Sequence, residues 1–128
     1  MLKTGIKGEV VFTADETGSA KTMGSGTLDV LATPKMIAML EKAAWESVEP
    51  YLEEGCGTVG TLMNVTHDAA TPLGMQVRCV SELSEIDGKR LLFRVEAFDE
   101  TGHIGGGVHE RYIIVNERFQ KKADSKLE

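Results

Sequence analysis

Two hydrophobic rhythms run along the chain, and the switches between them mark its elements. Between residues 34 and 51, Met36, Ile37, Leu40, Ala44, Ser47, Val48 and Tyr51 fall on one arc at 3.6-residue spacing, with Lys42, Glu46 and Glu49 opposite. That spacing predicts an amphipathic helix of about 16 residues, roughly 24 Å long. Thr33 stands at the N-cap position and Pro34 at the first helical position, where its missing N–H costs nothing. Pro50 and then Gly55 end the segment.

Elsewhere the period is two. Residues 8–14 and 27–32 read as strands before the helix, and residues 58–66, 75–86, 90–98 and 108–116 as strands after it. Met75, Val77, Cys79 and Leu83 share one face, as do Leu91, Phe93, Val95 and Ala97 against Arg94 and Glu96. Such one-sided strands fit an antiparallel sheet solvated on its outer face. Asp87-Gly88 predicts a two-residue hairpin of type I′, Gly102 helps the next turn, and the run Gly105-Gly106-Gly107 predicts a bulge or bend at the start of the last strand. The expected fold is α+β: one long helix on a mostly antiparallel sheet of five or six strands, ordered as two strands, helix, then a four-strand meander. Residues 1–128 make one domain, with about 121–128 a frayed, solvated tail. A single helix covers only part of a sheet face, so the open edges invite dimerisation.

Composition narrows the function. The formal charge of −6 and pI near 5.1 argue against a nucleic-acid partner, which needs a basic face. No apolar run approaches the roughly 20 residues of a membrane span, and "MLKTGIKGEV" lacks the apolar stretch of a signal peptide, so a cytoplasmic protein is expected. Cys56 and Cys79 form no zinc pattern, so no metal is expected; Cys79 reads as core.

Three residues stand out chemically. His67 ends the alternation Val59, Thr61, Met63, Val65, and lies just before the turn signal Thr71-Pro72-Leu73-Gly74. It reads either as a satisfied structural histidine or as a general base. Glu41 falls beside Ile37, Val48 and Trp45 at the margin of the helix's apolar arc. It reads as a solvated rim carboxylate, or, closed in by a second subunit, as a base or nucleophile. Thr33 reads as a cap, or as a hydroxyl that orients a water or a carboxylate. Thr33 and Glu41 are separated by roughly 12 Å of helix axis, so a shared site needs a bridging substrate or parts from two subunits.

The stretch "ATPKMIAMLEKAAWESVEPYLEEGCGTVGTLMNVTHDAATPLG", together with "IDGKRLLFRVEAFDETGHIGGGVHER", resembles the fluoroacetyl-CoA thioesterase-like group of hotdog-fold proteins. The resemblance runs from about Val30 to Phe119. It implies a helix wrapped by a curved antiparallel sheet, acting as a homodimer or a dimer of dimers with sites at the subunit interface. It carries the family's catalytic threonine, glutamate and histidine onto Thr33, Glu41 and His67. It carries the glycine whose backbone amide faces the thioester carbonyl onto Gly60. The implied activity is hydrolysis of a short-chain acyl-CoA, with coenzyme A as part of the substrate and no separate cofactor. The rival readings are a non-catalytic acyl-CoA binding module and another hotdog enzyme such as a dehydratase. One departure bears on selectivity: the fluoroacetyl-specific member has an aromatic-bearing lid before its threonine, whereas "AKTMGSGTLD" has no aromatic residue, which implies a broader short-chain hydrolase. Arg78, Lys89, Arg90 and Arg94 are the candidates for the phosphates of coenzyme A, each also readable as a solvated charge. His109-Glu110-Arg111 reads as an interface or sheet-face ion pair, since His109 and Glu110 point to opposite faces of a strand.

Overall fold

The computed structural model describes all residues, 1–128. Five strands, β1 (Lys7–Thr13), β2 (Cys56–His67), β3 (Gln76–Asp87), β4 (Arg90–Asp99) and β5 (Gly102–Val115), form one sheet in which every pairing is antiparallel. A short helix, α1 (Ala20–Met23), precedes the long helix α2 (Thr33–Val48), and α3 (Asn116–Asp124) closes the chain. The strand order is β1-β3-β4-β5-β2. Helix α2 lies against β1, β3, β4 and β2, so the sheet wraps around it.

The core follows the two periodicities. From α2 come Met36, Leu40, Ala44 and Val48; from β3 and β4 come Val77, Cys79, Leu83, Leu91, Phe93, Val95 and Ala97. All are buried, because a 3.6-residue stripe and a two-residue stripe meet over one shared apolar layer. Ile37 is only half-buried, and Tyr51 lies in a single 3₁₀ turn, Glu49–Tyr51, at the position of Pro50, where α2 has already ended.

Several expectations are corrected. Residues 27–32 form no strand. The Val30 carbonyl accepts from Ala20 N–H and Leu31 N–H donates to Thr71, so the backbone there is engaged by α1 and a loop rather than by a ladder. The four later strands are not a meander: residues 68–75 carry the chain away from β2, which pairs with β5 and forms the sheet's far edge. Ala32, not Thr33, is the N-cap, and no side chain caps the helix; Thr33 is its first residue. The β3–β4 turn has positive φ only at Gly88, with Lys89 negative, which is the φ pattern of type II′ rather than I′. The three glycines lie inside β5, which starts at Gly102, and the bulge falls one step earlier, between the pairs Ala97–Gly105 and Phe98–His103. The C-terminal residues are helical, α3 as far as Asp124 and a 3₁₀ turn from Ser125 to Leu127, and residues 121–128 are solvated as expected.

A bulge in β2 is the feature that matters most for the site. Gly60 pairs with Arg111 and Leu62 with Glu110, leaving Thr61 as the extra residue. The expected stripe therefore survives only from Met63 through Val65 to His67, which stay half-buried, while Thr61 is exposed and bonds outward to Glu110.

Replacing Leu40, fully buried at the seam of α2 and the sheet, with Ala is expected to cost about 2–5 kcal/mol, read as a lower denaturant midpoint at unchanged m-value. A loss under about 1 kcal/mol contradicts this core.

Candidate active site

His67 is the last residue of β2 and Thr33 the first of α2, and the packing of helix on sheet brings them together. Thr33 Oγ1 lies 2.7 Å from His67 Nδ1. This contact explains why Thr33 does not cap its helix: the hydroxyl is directed at the imidazole instead. His67 Nε2 is buried and has no partner within the chain. Burial holds the His67 pKa below its usual value near 6.5, against the opposing pull of Asp68, so the neutral ring with a usable lone pair is favoured at neutral pH. A cavity of about 210 Å³ opens here, lined by small and aliphatic residues including Ala20, Val30, Leu31 and Ala69.

Glu41 belongs to a second cluster, about two turns further along α2. Its Oε2 accepts from Arg111 Nη1 at 3.4 Å, and its side chain is 40% exposed. Arg111 is almost fully buried and is held in place by Thr58, whose hydroxyl accepts from Nε at 2.7 Å and whose carbonyl accepts from Nη2 at 2.9 Å. A Cβ on Gly60 would lie 2.8 Å from Glu41 Oε2, so a side chain there would push the carboxylate off its place on the bulged strand. Burial lowers the Arg111 pKa and Glu41 opposes that shift; the guanidinium stays cationic.

The structure thus gathers the four expected site residues into two pairs: Thr33 with His67, and Glu41 with Gly60. No hydrogen bond joins one pair to the other. Reading the sequence missed Arg111 and His109. Their signal was present as a spacing of two, which puts both on the face opposite Glu110. Glu110 forms the expected sheet-face ion pair, with Arg90 on the outer surface. Of the phosphate candidates, Arg78 pairs with Glu9 and Arg90 with Glu85 and Glu110, while Lys89 and Arg94 are exposed.

The family model of FlK, the fluoroacetyl-CoA-specific thioesterase, matches residues 13–117. The chain belongs to this family. Among relatives, the fluoroacetyl-CoA thioesterase of Streptantibioticus cattleyicolor is 44% identical over 98 residues, which is 77% of this chain and 70% of that one. The solved structure of the fluoroacetyl-CoA thioesterase FlK superposes with a TM-score of 0.93 at 34% identity, covering 98% of both chains. FlK variants have also been solved with acetyl-CoA, and with fluoroacetate and CoA. A hot-dog-like protein from Thermanaerovibrio acidaminovorans, at 19% identity and TM-score 0.89 over 99% of this chain and 94% of that one, shares the fold. The chain is a hotdog-fold thioester hydrolase of the FlK type.

The histidines make stability pH-dependent. Burial lowers the pKa of both His67 and His109 below 6.5, so as pH falls the unfolded chain takes up protons before the folded one. Stability is full above about 6.5 and declines as pH falls toward the depressed native values. Glu110, lowered by hydrogen bonds from Thr61 and Arg90, acts only below about 4.5, in the carboxylate range. Tm is expected to drop steadily from pH 7 to pH 5, with a shallower slope in His109→Gln; a flat profile over that window contradicts the assignment.

Proposed function

We propose that this member of the family hydrolyses short-chain acyl-CoA thioesters at two equivalent sites, each assembled between two copies of the chain. The observation that carries this reading is the division of the site residues into two pairs, each with one member on α2 and one on the edge strand β2. Gly60 and His67 are both on β2, whose outer edge has no neighbour in the sheet. Leu62, Asn64 and Thr66 are exposed along it. An antiparallel pairing of β2 with the β2 of a second copy, centred on Asn64 and passing over the bulged Thr61, would set Gly60 opposite the partner's His67. Each site would then combine Glu41 and Gly60 from one copy with Thr33 and His67 from the other. Backbone pairing would also satisfy the free edge.

In this arrangement the thioester carbonyl sits over Gly60, whose N–H stabilises the oxyanion formed on attack. Thr33 orients His67, leaving Nε2 to take the proton of the attacking water and then to return one to the departing thiolate of coenzyme A. Glu41 either positions that water or attacks the carbonyl itself, giving an acyl anhydride that water then opens. Both routes yield the free acid and coenzyme A. They use no metal and no cofactor, since coenzyme A is part of the substrate. The segment before Thr33 supports a broad short acyl range: α1 and the residues after it bring only small or flexible side chains, including Ala20, Ser25 and Val30, to the cavity. Two free thiols, at Cys56 and Cys79, fit a reducing, cytoplasmic setting.

A thiol-release assay over acetyl-, propionyl- and fluoroacetyl-CoA tests the proposal. Turnover of acetyl- and propionyl-CoA is expected, with His67→Ala slower by at least about 100-fold. Near-wild-type turnover by His67→Ala sinks the base role. Binding of CoA without thiol release would instead point to a binding module, and hydration of an enoyl-CoA to a dehydratase.

A further inference from the structure

His109 is among the most deeply buried polar side chains in the molecule, 1% exposed, and the proposed mechanism does not use it. Its two ring nitrogens face two fixed partners. Nδ1 lies 2.8 Å from the Leu62 carbonyl oxygen, and Nε2 lies 3.1 Å from Arg111 Nη1. A carbonyl only accepts and a guanidinium only donates. The proton is therefore on Nδ1, the ring is neutral, and Nε2 offers its lone pair to Arg111. Burial, which lowers the pKa of His109, agrees with a neutral ring. The imidazole also stacks on Phe93, with ring centroids 6.2 Å apart, so it has little freedom to turn.

Each partner borders the carboxylate–glycine pair of Glu41 and Gly60. Leu62 closes the bulge that begins at Gly60. Arg111 Nη1, the same nitrogen that donates to His109 Nε2, also donates to Glu41. The next residue, Glu110, holds the bulge from the opposite face by accepting from the Thr61 hydroxyl at 2.8 Å, and is itself anchored by Arg90. Three consecutive residues of β5 thus grip three consecutive features of the bulge. His109 Cε1 and Arg111 Nη1 would lie 3.2 and 3.4 Å from a Cβ on Gly60, so the cluster closes directly around that glycine.

We propose that His109 is a positioning residue of the hydrolytic site: as a neutral Nδ1–H imidazole it pins the β2 bulge through Leu62 and aims Arg111 at Glu41, fixing the carboxylate over Gly60. The proposal rests on the reading of Glu41 and Gly60 given above. It assigns His109 no contact with substrate. Its effect reaches the chemistry only through Glu41 and the bulge.

The test is a mutant cycle on the full-length protein with acetyl-CoA. His109→Asn keeps an amide donor near the Nδ1 position and removes the acceptor for Arg111; His109→Gln puts an acceptor near the Nε2 position and removes the donor to Leu62. Each is expected to lower kcat by about 10- to 100-fold with KM within about threefold, because coenzyme A contacts are untouched. In the Glu41→Gln background the same His109 changes are expected to add less than about threefold, since residues acting as a unit are not additive. Multiplicative losses, or an unchanged kcat in both single variants, overturn the proposal. An independent readout is ¹⁵N NMR of the wild-type imidazoles at pH 7: an Nδ1–H neutral His109 is expected, and an Nε2–H or cationic ring overturns it even where a variant fails to fold. Full activity of Glu41→Gln alone would instead remove the underlying reading of Glu41.

Discussion

The position of β2 at the edge of the sheet governs everything about the site. A strand with β5 on one side and no neighbour on the other presents a row of outward backbone groups, and those groups need a partner or solvent. The same strand carries Gly60 toward its middle and His67 at its end. The helix that meets it rises only 1.5 Å per residue, so Thr33 and Glu41 are held roughly 12 Å apart on one rigid rod. A single chain therefore makes the two pairs of residues and keeps them separate. In the proposed assembly, a second copy related by a two-fold axis through β2 would both satisfy the edge and unite the pairs.

Electrostatics divides the two pairs in a complementary way. Around His67 small aliphatic residues stand beside Ser25, Thr33 and Asp68, and burial favours the uncharged imidazole, the form that accepts a proton. Around Glu41 the environment is charged and ordered. A buried guanidinium with no partner would be costly, and Arg111 avoids that cost with hydrogen bonds to Thr58, His109 and Glu41. The carboxylate is thereby tied to the strand bulge rather than left to move on the helix surface, while 40% of its side-chain surface remains exposed.

The fold was legible wherever a local rhythm decides structure. The β4 stripe predicted its buried residues side chain for side chain, and the α2 and β3 stripes supplied Met36, Leu40, Ala44, Val48, Val77, Cys79 and Leu83, while Ile37, Ser47 and Met75 are half-buried and Tyr51 is exposed; burial on a helix or strand follows periods that the sequence carries directly. The β2 edge was not legible. Whether β2 pairs with β3 or with β5 depends on the path of residues 68–75, and no local pattern encodes it. Thr33 looked like a cap because its position permits one; tertiary contact with His67 redirected its hydroxyl. Residues 27–32 alternate like a strand, yet α1 and the Thr71 loop engage their backbone first. His109 and Arg111 were overlooked because Glu110 between them invited a surface reading of the whole run, although the spacing of two already separated them from it. The one-residue bulge at Thr61 is the least predictable feature, and it is the one that turns Gly60 toward Glu41.

The central claim is that each site takes parts from two chains, and complementation tests it most directly. A Glu41→Gln chain and a Thr33→Ala/His67→Ala chain should each be nearly inactive alone. Mixed after reversible dissociation and reassociation, half of the chain pairs at equal ratio would be hybrids, and each hybrid would hold one intact site. About a quarter of wild-type turnover is the result this account predicts, by random reassortment of a two-fold pair. Mixtures no more active than the separate variants, with hybrid pairs shown to be present, would contradict it.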